Sequence, residues 1–368
     1  MHRPRVLVVD DSVVVRRLVS KALEAEGEVE VVGVAADGKI ALVNIERLHP
    51  DVVILDVAMP VMDGLTALAE IRQRWPGLPV IMFSTLTTRG AEVTLDALAL
   101  GASDYVLKPS GGDAASSMAT IRAELLPRIA ALLPAAREAK ERAPARIPQR
   151  PSRATGTVAR ATGPAQRVDL IAIGVSTGGP TALAELIPSL PATLPVPVAI
   201  VQHMPPMFTK ILAERLDHKS AVRVLEAADG DRLKPGSVYI APGDLHLAIA
   251  ARDREVLSVY DGPHENSCRP SVDALFRTVA ERYGAHALGI VMTGMGSDGL
   301  RGAEHLAAAG ARIIVQDEVS SVVWGMPGFI SRAGLADVVV PLSGLRAEIL
   351  RRVAVGRDPA LAGMGAAS

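Results

Sequence analysis

Short apolar runs of strand length alternate along this chain with longer stretches in which apolar residues recur at helical spacing. The order over the first third is VLVVD, VVVRRLVSKALEAE, VEVVGVA, a helical segment to Leu48, DVVILDVAMP, TALAEIRQRW, LPVIMFST, AEVTLDALALG, SDYVLKP and SSMATIRAELLPRIAALL. Strands that are apolar throughout need cover on both faces, and each here is followed by a helix that can supply it. The pattern therefore predicts an α/β domain over residues 1–133, a doubly wound sheet of five parallel strands. Periodicity then stops. From 134 to 167 prolines recur and arginine dominates the charge, which reads as a flexible basic linker, a solvated tether whose arginines could also hold an acidic partner. A second α/β domain is expected over 168–355. Its strands are VDLIAIG, VPVAIVQ, VRVLEA, SVYIAP, HLAIA, EVLSVY, HALGIVM, ARIIVQ and ADVVV, and its helices lie near 180–187, 207–218, 271–283, 299–309 and 342–353. Hairpin-like pairs in its middle and βα units at both ends predict a mostly parallel sheet with an antiparallel excursion. Residues 356–368 read as a loose tail.

Composition narrows the class. Ala, Val, Leu and Ile supply most of the apolar content, with only 4 Phe, 4 Tyr and 2 Trp in 368 residues, as in soluble α/β proteins. No run approaches the roughly 18 apolar residues of a membrane helix. The start, MHRPRVLVVDD, reaches acids too soon for a signal-peptide core, so a cytoplasmic protein is expected. A net charge of −1 gives no global field for nucleic acid or a membrane surface. The single cysteine, Cys268, excludes an internal disulfide and reads as a spectator thiol.

Two sets of residues carry chemistry. Asp10 and Asp11 end the first predicted strand and Asp56 the third, so a parallel sheet gathers three carboxylates at one edge. Their mutual repulsion calls for a hard divalent cation such as Mg²⁺, which would activate a phosphoryl donor toward a carboxylate nucleophile. Lys108 and Ser84, at the ends of the fifth and fourth strands, offer a countercharge and a hydroxyl, and Tyr105 a ring able to change rotamer when Ser84 moves.

The second set starts at Ser176 in IAIGVSTGGP, where an apolar strand meets a turn with Gly174, Gly178 and Gly179, the G-x-S-x-G spacing of a nucleophile elbow. A serine needs a base. His203 also follows an apolar strand, whereas His218, His246, His264, His286 and His305 lie in other contexts. Asp298, after the strand and glycine-rich turn of HALGIVMTGMGSDG, could orient that base, or could cap the helix that follows. A rival reading uses the same segment. Gly294, Gly296 and Gly299 satisfy G-x-G-x-x-G, with Asp317 after the next strand, as in a dinucleotide-binding oxidoreductase.

Matched as sets, the motifs resemble known families. VLVVDDS, DVVILDVAMPVMDG, VIMFST and GASDYVLKPS are similar to the flavodoxin-like receiver domain of two-component response regulators. That resemblance implies phosphorylation of Asp56 by a histidine kinase, Mg²⁺ held by Asp11, Asp56 and the Ala58 carbonyl with Asp10 assisting, Lys108 on the phosphoryl group, and Ser84 with Tyr105 as a switch pair. IGVSTGGP, VQHMPPMFT, YIAPGDLHL, RPSVDALF, VMTGMGSDG and QDEVSSVVWGMP resemble the catalytic domain of the chemotaxis protein-glutamate methylesterase (CheB) family. That likeness implies Ser176 as nucleophile, His203 as base, Asp298 as orienting acid and the Met295 backbone N–H as oxyanion donor, in an order unlike that of α/β hydrolases. It further implies a cytoplasmic monomer acting on methyl-accepting chemoreceptors. Such an enzyme hydrolyses glutamate γ-methyl esters and deamidates glutamines in signal adaptation, is activated by phosphorylation, and needs no cofactor for the esterase step. A receiver also occurs in DNA-binding regulators, but no helix-turn-helix is visible in the second domain.

Overall fold

In the computed structural model, which describes residues 3–111, 113–141 and 166–357, the chain divides into two units, Met1–Pro151 and Ser152–Ser368. The five apolar runs of the first become β1 (Arg5–Val9), β2 (Glu30–Ala35), β3 (Val52–Asp56), β4 (Val80–Ser84) and β5 (Asp104–Leu107). They pair in parallel in the order β2-β1-β3-β4-β5. Helices α1 (Val13–Glu24), α2 (Gly38–Leu48), α3 (Gly64–Arg74) and α4 (Thr88–Ala99) each start on a side chain that accepts a backbone N–H of the first turn: Ser12, Asp37, Asp63 and Thr87. The strand order reverses between β1 and β3, which opens a crevice at their carboxyl ends.

The next helix, α5 (Ala114–Glu141), runs past the boundary expected at residue 133. Its last residues, AAREAKE, are strong helix formers, so loss of apolar periodicity there is not loss of helix. The linker from 142 to 165 and the tail from 358 lie outside the described residues.

The second unit contains β6 (Leu170–Val175), β7 (Val198–Gln202), β8 (Arg223–Glu226), β9 (Ser237–Ile240), β10 (His246–Ile249), β11 (Leu257–Tyr260), β12 (Ala287–Val291), β13 (Arg312–Gln316) and β14 (Val338–Val340). Its helices are α6 (Gly179–Leu186), α7 (Phe208–Lys219), α8 (Val272–Tyr283), α9 (Leu300–Ala308), α10 (Met326–Arg332) and α11 (Leu342–Val353). Seven strands form one parallel sheet in the order β14-β13-β12-β6-β7-β9-β8. The antiparallel excursion is a separate two-stranded hairpin, β10 with β11. β8 and β9 read as hairpin partners because no helix separates them, yet residues 227–236 carry the chain back across the sheet and they pair in parallel. Strand β6 is buried at every position, as its unbroken apolar run requires, and lies between β7 and β12. The carboxyl ends of these three central strands carry the second set of candidate residues.

Candidate functional site

Ser176 follows β6 and is held through its backbone. Its N–H donates to the Thr293 carbonyl (3.0 Å), and its carbonyl accepts from the Gly179 N–H (2.7 Å) and Gln202 Nε2 (3.0 Å). Thr293 Oγ1 ties in the next residue by donating to the Thr177 carbonyl (2.9 Å). Of the three glycines of this loop only Gly178 has a left-handed backbone (φ 76°). The other two answer to crowding: a Cβ on Gly174 would lie 2.4 Å from Val272 Cγ1, and one on Gly179 2.0 Å from Gln202 Oε1. The turn is thus set by its neighbours as much as by its own dihedrals.

His203 occupies the matching position after β7. Val175 pairs with Gln202 in the β6–β7 register, and the His203 N–H donates to the Val175 carbonyl (3.2 Å). Its Nε2 lies 2.8 Å from Asp298 Oδ2. Asp298 does not cap α9, whose N-cap is Gly299 with no side-chain bond. Its carboxylate sits instead at the N-terminus of α8, accepting from Val272 N (2.7 Å), Asp273 N (3.2 Å) and Ser271 Oγ (2.8 Å), while Asn266 Nδ2 adds a further bond (2.9 Å). Unpaired N–H groups and the positive end of a helix dipole favour an anion here. Burial alone would raise the Asp298 pKa, but His203 and these donors hold it down at about 2. Burial works against the His203 imidazolium as well, yet Asp298 on one side and Cys268 on the other raise its pKa to about 10.

Several of these partners escaped the sequence. Asn266 also donates to Asp273 Oδ2 (2.7 Å), so one amide bridges two buried carboxylates. Burial and the charge of Asp298 push the Asp273 pKa up. Cys268, read from the sequence as a spectator thiol, lies beside His203, with its Sγ 3.7 Å from the ring Nδ1. All three neighbours precede or open α8; Asp273 lies in the RPSVDALF motif, but the closeness of α8 to the turn after β12 is what brings them to Asp298 and His203. His246, by contrast, is structural, 1% exposed, with Nε2 on the Pro263 carbonyl and Nδ1 accepting from the Ser271 N–H.

The segment read as a dinucleotide fingerprint is packed against its own chain. The Gly294 N–H donates to the Val323 carbonyl, and the Gly294 carbonyl accepts from Gly325 N and Met326 N. Asp317 is engaged in a local turn, accepting from Ser320 N (3.0 Å). The neighbouring Met295 is half-buried, and its N–H makes no hydrogen bond among the described residues.

In the first unit Asp10, Asp11 and Asp56 bring carboxylate oxygens within 4.8 Å of one another. Lys108 Nζ bridges Asp10 Oδ2 (2.7 Å) and Asp56 Oδ1 (2.9 Å). Burial pushes the Asp56 pKa up, against the pull of Lys108. An all-oxygen set with Asp11 exposed fits a hard, partly hydrated cation such as Mg²⁺. Ala58 lies in the exposed turn two residues past Asp56. Ser84 ends β4 with a buried Oγ that has no hydrogen-bond partner among the described residues, and Tyr105 is buried on the adjacent β5.

Comparison with known proteins gives a consistent result. Residues 171–349 match the family described as CheB methylesterase, and residues 6–119 the response regulator receiver domain. A protein of Trichodesmium erythraeum named protein-glutamate methylesterase/protein-glutamine glutaminase is 46% identical over 96% of this chain and 100% of its own length. One of the same name from a Nocardioides species is 49% identical over 99% of both chains. Among solved structures, the Thermotoga maritima CheB methylesterase catalytic domain is 42% identical, covering 50% of this chain and 98% of that one with a TM-score of 0.48.

Proposed function

The chain belongs to the CheB protein-glutamate methylesterase family with an N-terminal receiver domain, and from that premise we propose that it hydrolyses glutamate γ-methyl esters on chemoreceptors with Ser176, His203 and Asp298 as its triad. The observation that carries this reading is the 2.8 Å contact between His203 Nε2 and the helix-capped Asp298 carboxylate, with Ser176 at the adjoining strand end.

Because Asp298 engages Nε2, the proton of Ser176 passes to His203 Nδ1 as Oγ attacks the ester carbonyl. The Met295 N–H is the oxyanion donor, consistent with its lack of another partner. The tetrahedral adduct collapses as Nδ1 returns the proton to the leaving methoxide. Methanol departs and a glutamyl-serine ester remains. Water, deprotonated at Nδ1, then releases glutamate and restores Ser176. A receptor glutamine follows the same course with ammonia as the leaving group.

The receiver is the regulator. Asp56 accepts a phosphoryl group from a histidine kinase, Lys108 and Ser84 contact it, and Tyr105 responds to the movement of Ser84. Mg²⁺ held by Asp11, Asp56 and the Ala58 carbonyl, with Asp10 assisting, would supply charge neutralisation for that transfer. Phosphorylation raises the esterase rate, and the protein serves adaptation of chemotactic signalling. Methanol release from methylated receptor is the direct assay. Ser176→Ala should lower it at least about 10³-fold; near wild-type turnover would exclude Ser176 as the nucleophile.

A further inference from the structure

The Cys268 thiol faces the one nitrogen of His203 that Asp298 leaves free. His203 Nε2 is held against the Asp298 carboxylate at 2.8 Å, which turns Nδ1 toward Cys268 Sγ, 3.7 Å away. Asp298 is itself fixed by four other donors and cannot follow the ring if it turns. Zinc bonds of about 2.3 Å to sulfur and 2.0–2.1 Å to nitrogen at a tetrahedral angle put those two atoms about 3.6 Å apart. The pair therefore already stands at the separation a shared ion would impose. An imidazole whose second nitrogen donates to a carboxylate is also the usual arrangement behind a metal-bound histidine. Both side chains reach solvent: Cys268 is half-exposed, and the His203 side chain retains 14% of its surface.

We infer that His203 Nδ1 and Cys268 Sγ form a binding site for a thiophilic divalent cation, Zn²⁺ or its spectroscopic substitute Co²⁺, that silences the hydrolase while the ion is bound. Binding needs no redox step. The thiol proton and the Nδ1 proton of the protonated ring leave to solvent, sulfur and nitrogen each give a lone pair to the ion, and water completes its shell. The blocking effect rests on the role proposed for His203, since the occupied nitrogen is the one that takes the serine proton. The binding itself does not.

The receiver carboxylates would also take a divalent ion, so the test is run on the full chain in saturating Mg²⁺. Cys268 is the only cysteine of the 368 residues, so any thiolate-to-metal charge-transfer band must come from it. Titrated Co²⁺ should produce that near-ultraviolet band, saturating at one equivalent, independent of protein concentration and erased by Zn²⁺. Cys268→Ala should lack it, and His203→Ala should weaken Co²⁺ binding at least tenfold. In the methanol-release assay, the Zn²⁺ concentration for half inhibition should be at least tenfold higher for Cys268→Ala than for wild type, each scaled to its own metal-free rate. Absence of the band in wild type, or an unchanged Co²⁺ midpoint in His203→Ala, overturns the site. Equal Zn²⁺ inhibition of wild type and Cys268→Ala overturns its control of the enzyme. A band in a protein with no metal-free esterase activity would keep the site and refute the function proposed above.

Discussion

At Asp298 two oxygens divide five hydrogen bonds between them: Oδ1 serves Asn266, Ser271 and the Asp273 N–H, and Oδ2 serves His203 and the Val272 N–H. The carboxylate thus stabilises the imidazolium and fixes which ring nitrogen it leaves free. His203, raised to about 10, is mostly protonated near neutrality, so esterase rate should climb with pH until it levels near that value. Asp298→Asn keeps the size but removes the charge; it should lower kcat by about 10³–10⁴-fold and bring the His203 titration, followed by NMR, back toward about 6.5. A His203 midpoint unmoved by this substitution would mean that the carboxylate does not set it. The two groups act on stability with opposite signs. The His203 contribution is complete below its unfolded value of about 6.5 and is lost as pH rises through about 10. The Asp298 contribution is present above about 3.8 and is lost as pH falls through about 2. The placement of Ser176, His203 and Asp298 at neighbouring strand ends was legible in the sequence because each follows an apolar strand, and strand ends of one parallel sheet converge. The contacts of Asn266, Ser271 and Cys268 were not legible, even though Ser271 lies in the RPSVDALF motif, since their place depends on how α8 abuts the turn after β12.

Between β6 and α8 the separation is set by a missing side chain. Gly174 lies under Val272, where a Cβ would come within 2.4 Å of Cγ1, and Val272 is also the residue whose N–H binds Asp298 Oδ2. Packing and site geometry therefore share one contact. Gly174→Ala should destabilise the second unit by about 1–3 kcal/mol, as overpacked cores do, with a loss of kcat beyond what unfolded protein accounts for. Adding Val272→Ala removes the obstructing methyls and should recover most of both losses, measured by urea denaturation and methanol release. Failure of the second change to recover either would separate the packing from the site. Most elements were readable for the same reason that this contact is tight: buried parallel strands are almost wholly apolar, and across β6, β7 and β12 the one polar side chain is Gln202 at the end of β7. Besides the overrun of α5, two features were not. The seven residues of α10 carry Pro327 and Gly328, which hide a helical period, and the parallel pairing of β8 with β9 is decided by the path of residues 227–236 rather than by either strand.

Across the whole molecule, two donor chemistries occupy separate units, and each suits a different class of ion. The first unit offers oxygen from Asp10, Asp11 and Asp56; the second offers sulfur and imidazole from Cys268 and His203. Hard cations favour the first set and thiophilic ones the second. Mg²⁺ should therefore govern regulation without touching ester hydrolysis. With a small-molecule phosphodonor, the full chain should release methanol faster in the presence of Mg²⁺ than in its absence. Asp56→Asn should keep the unstimulated rate and lose the increment. A phosphoryl group brings about −1.5 to −2 charges to a pocket in which Lys108 is the nearest cation. Lys108→Ala should therefore accept phosphate, detected by mass, yet show a smaller stimulation. If omitting Mg²⁺ lowered the rate of Asp56→Asn itself, the metal would be acting at the esterase site, and the division of labour between the two units would fail.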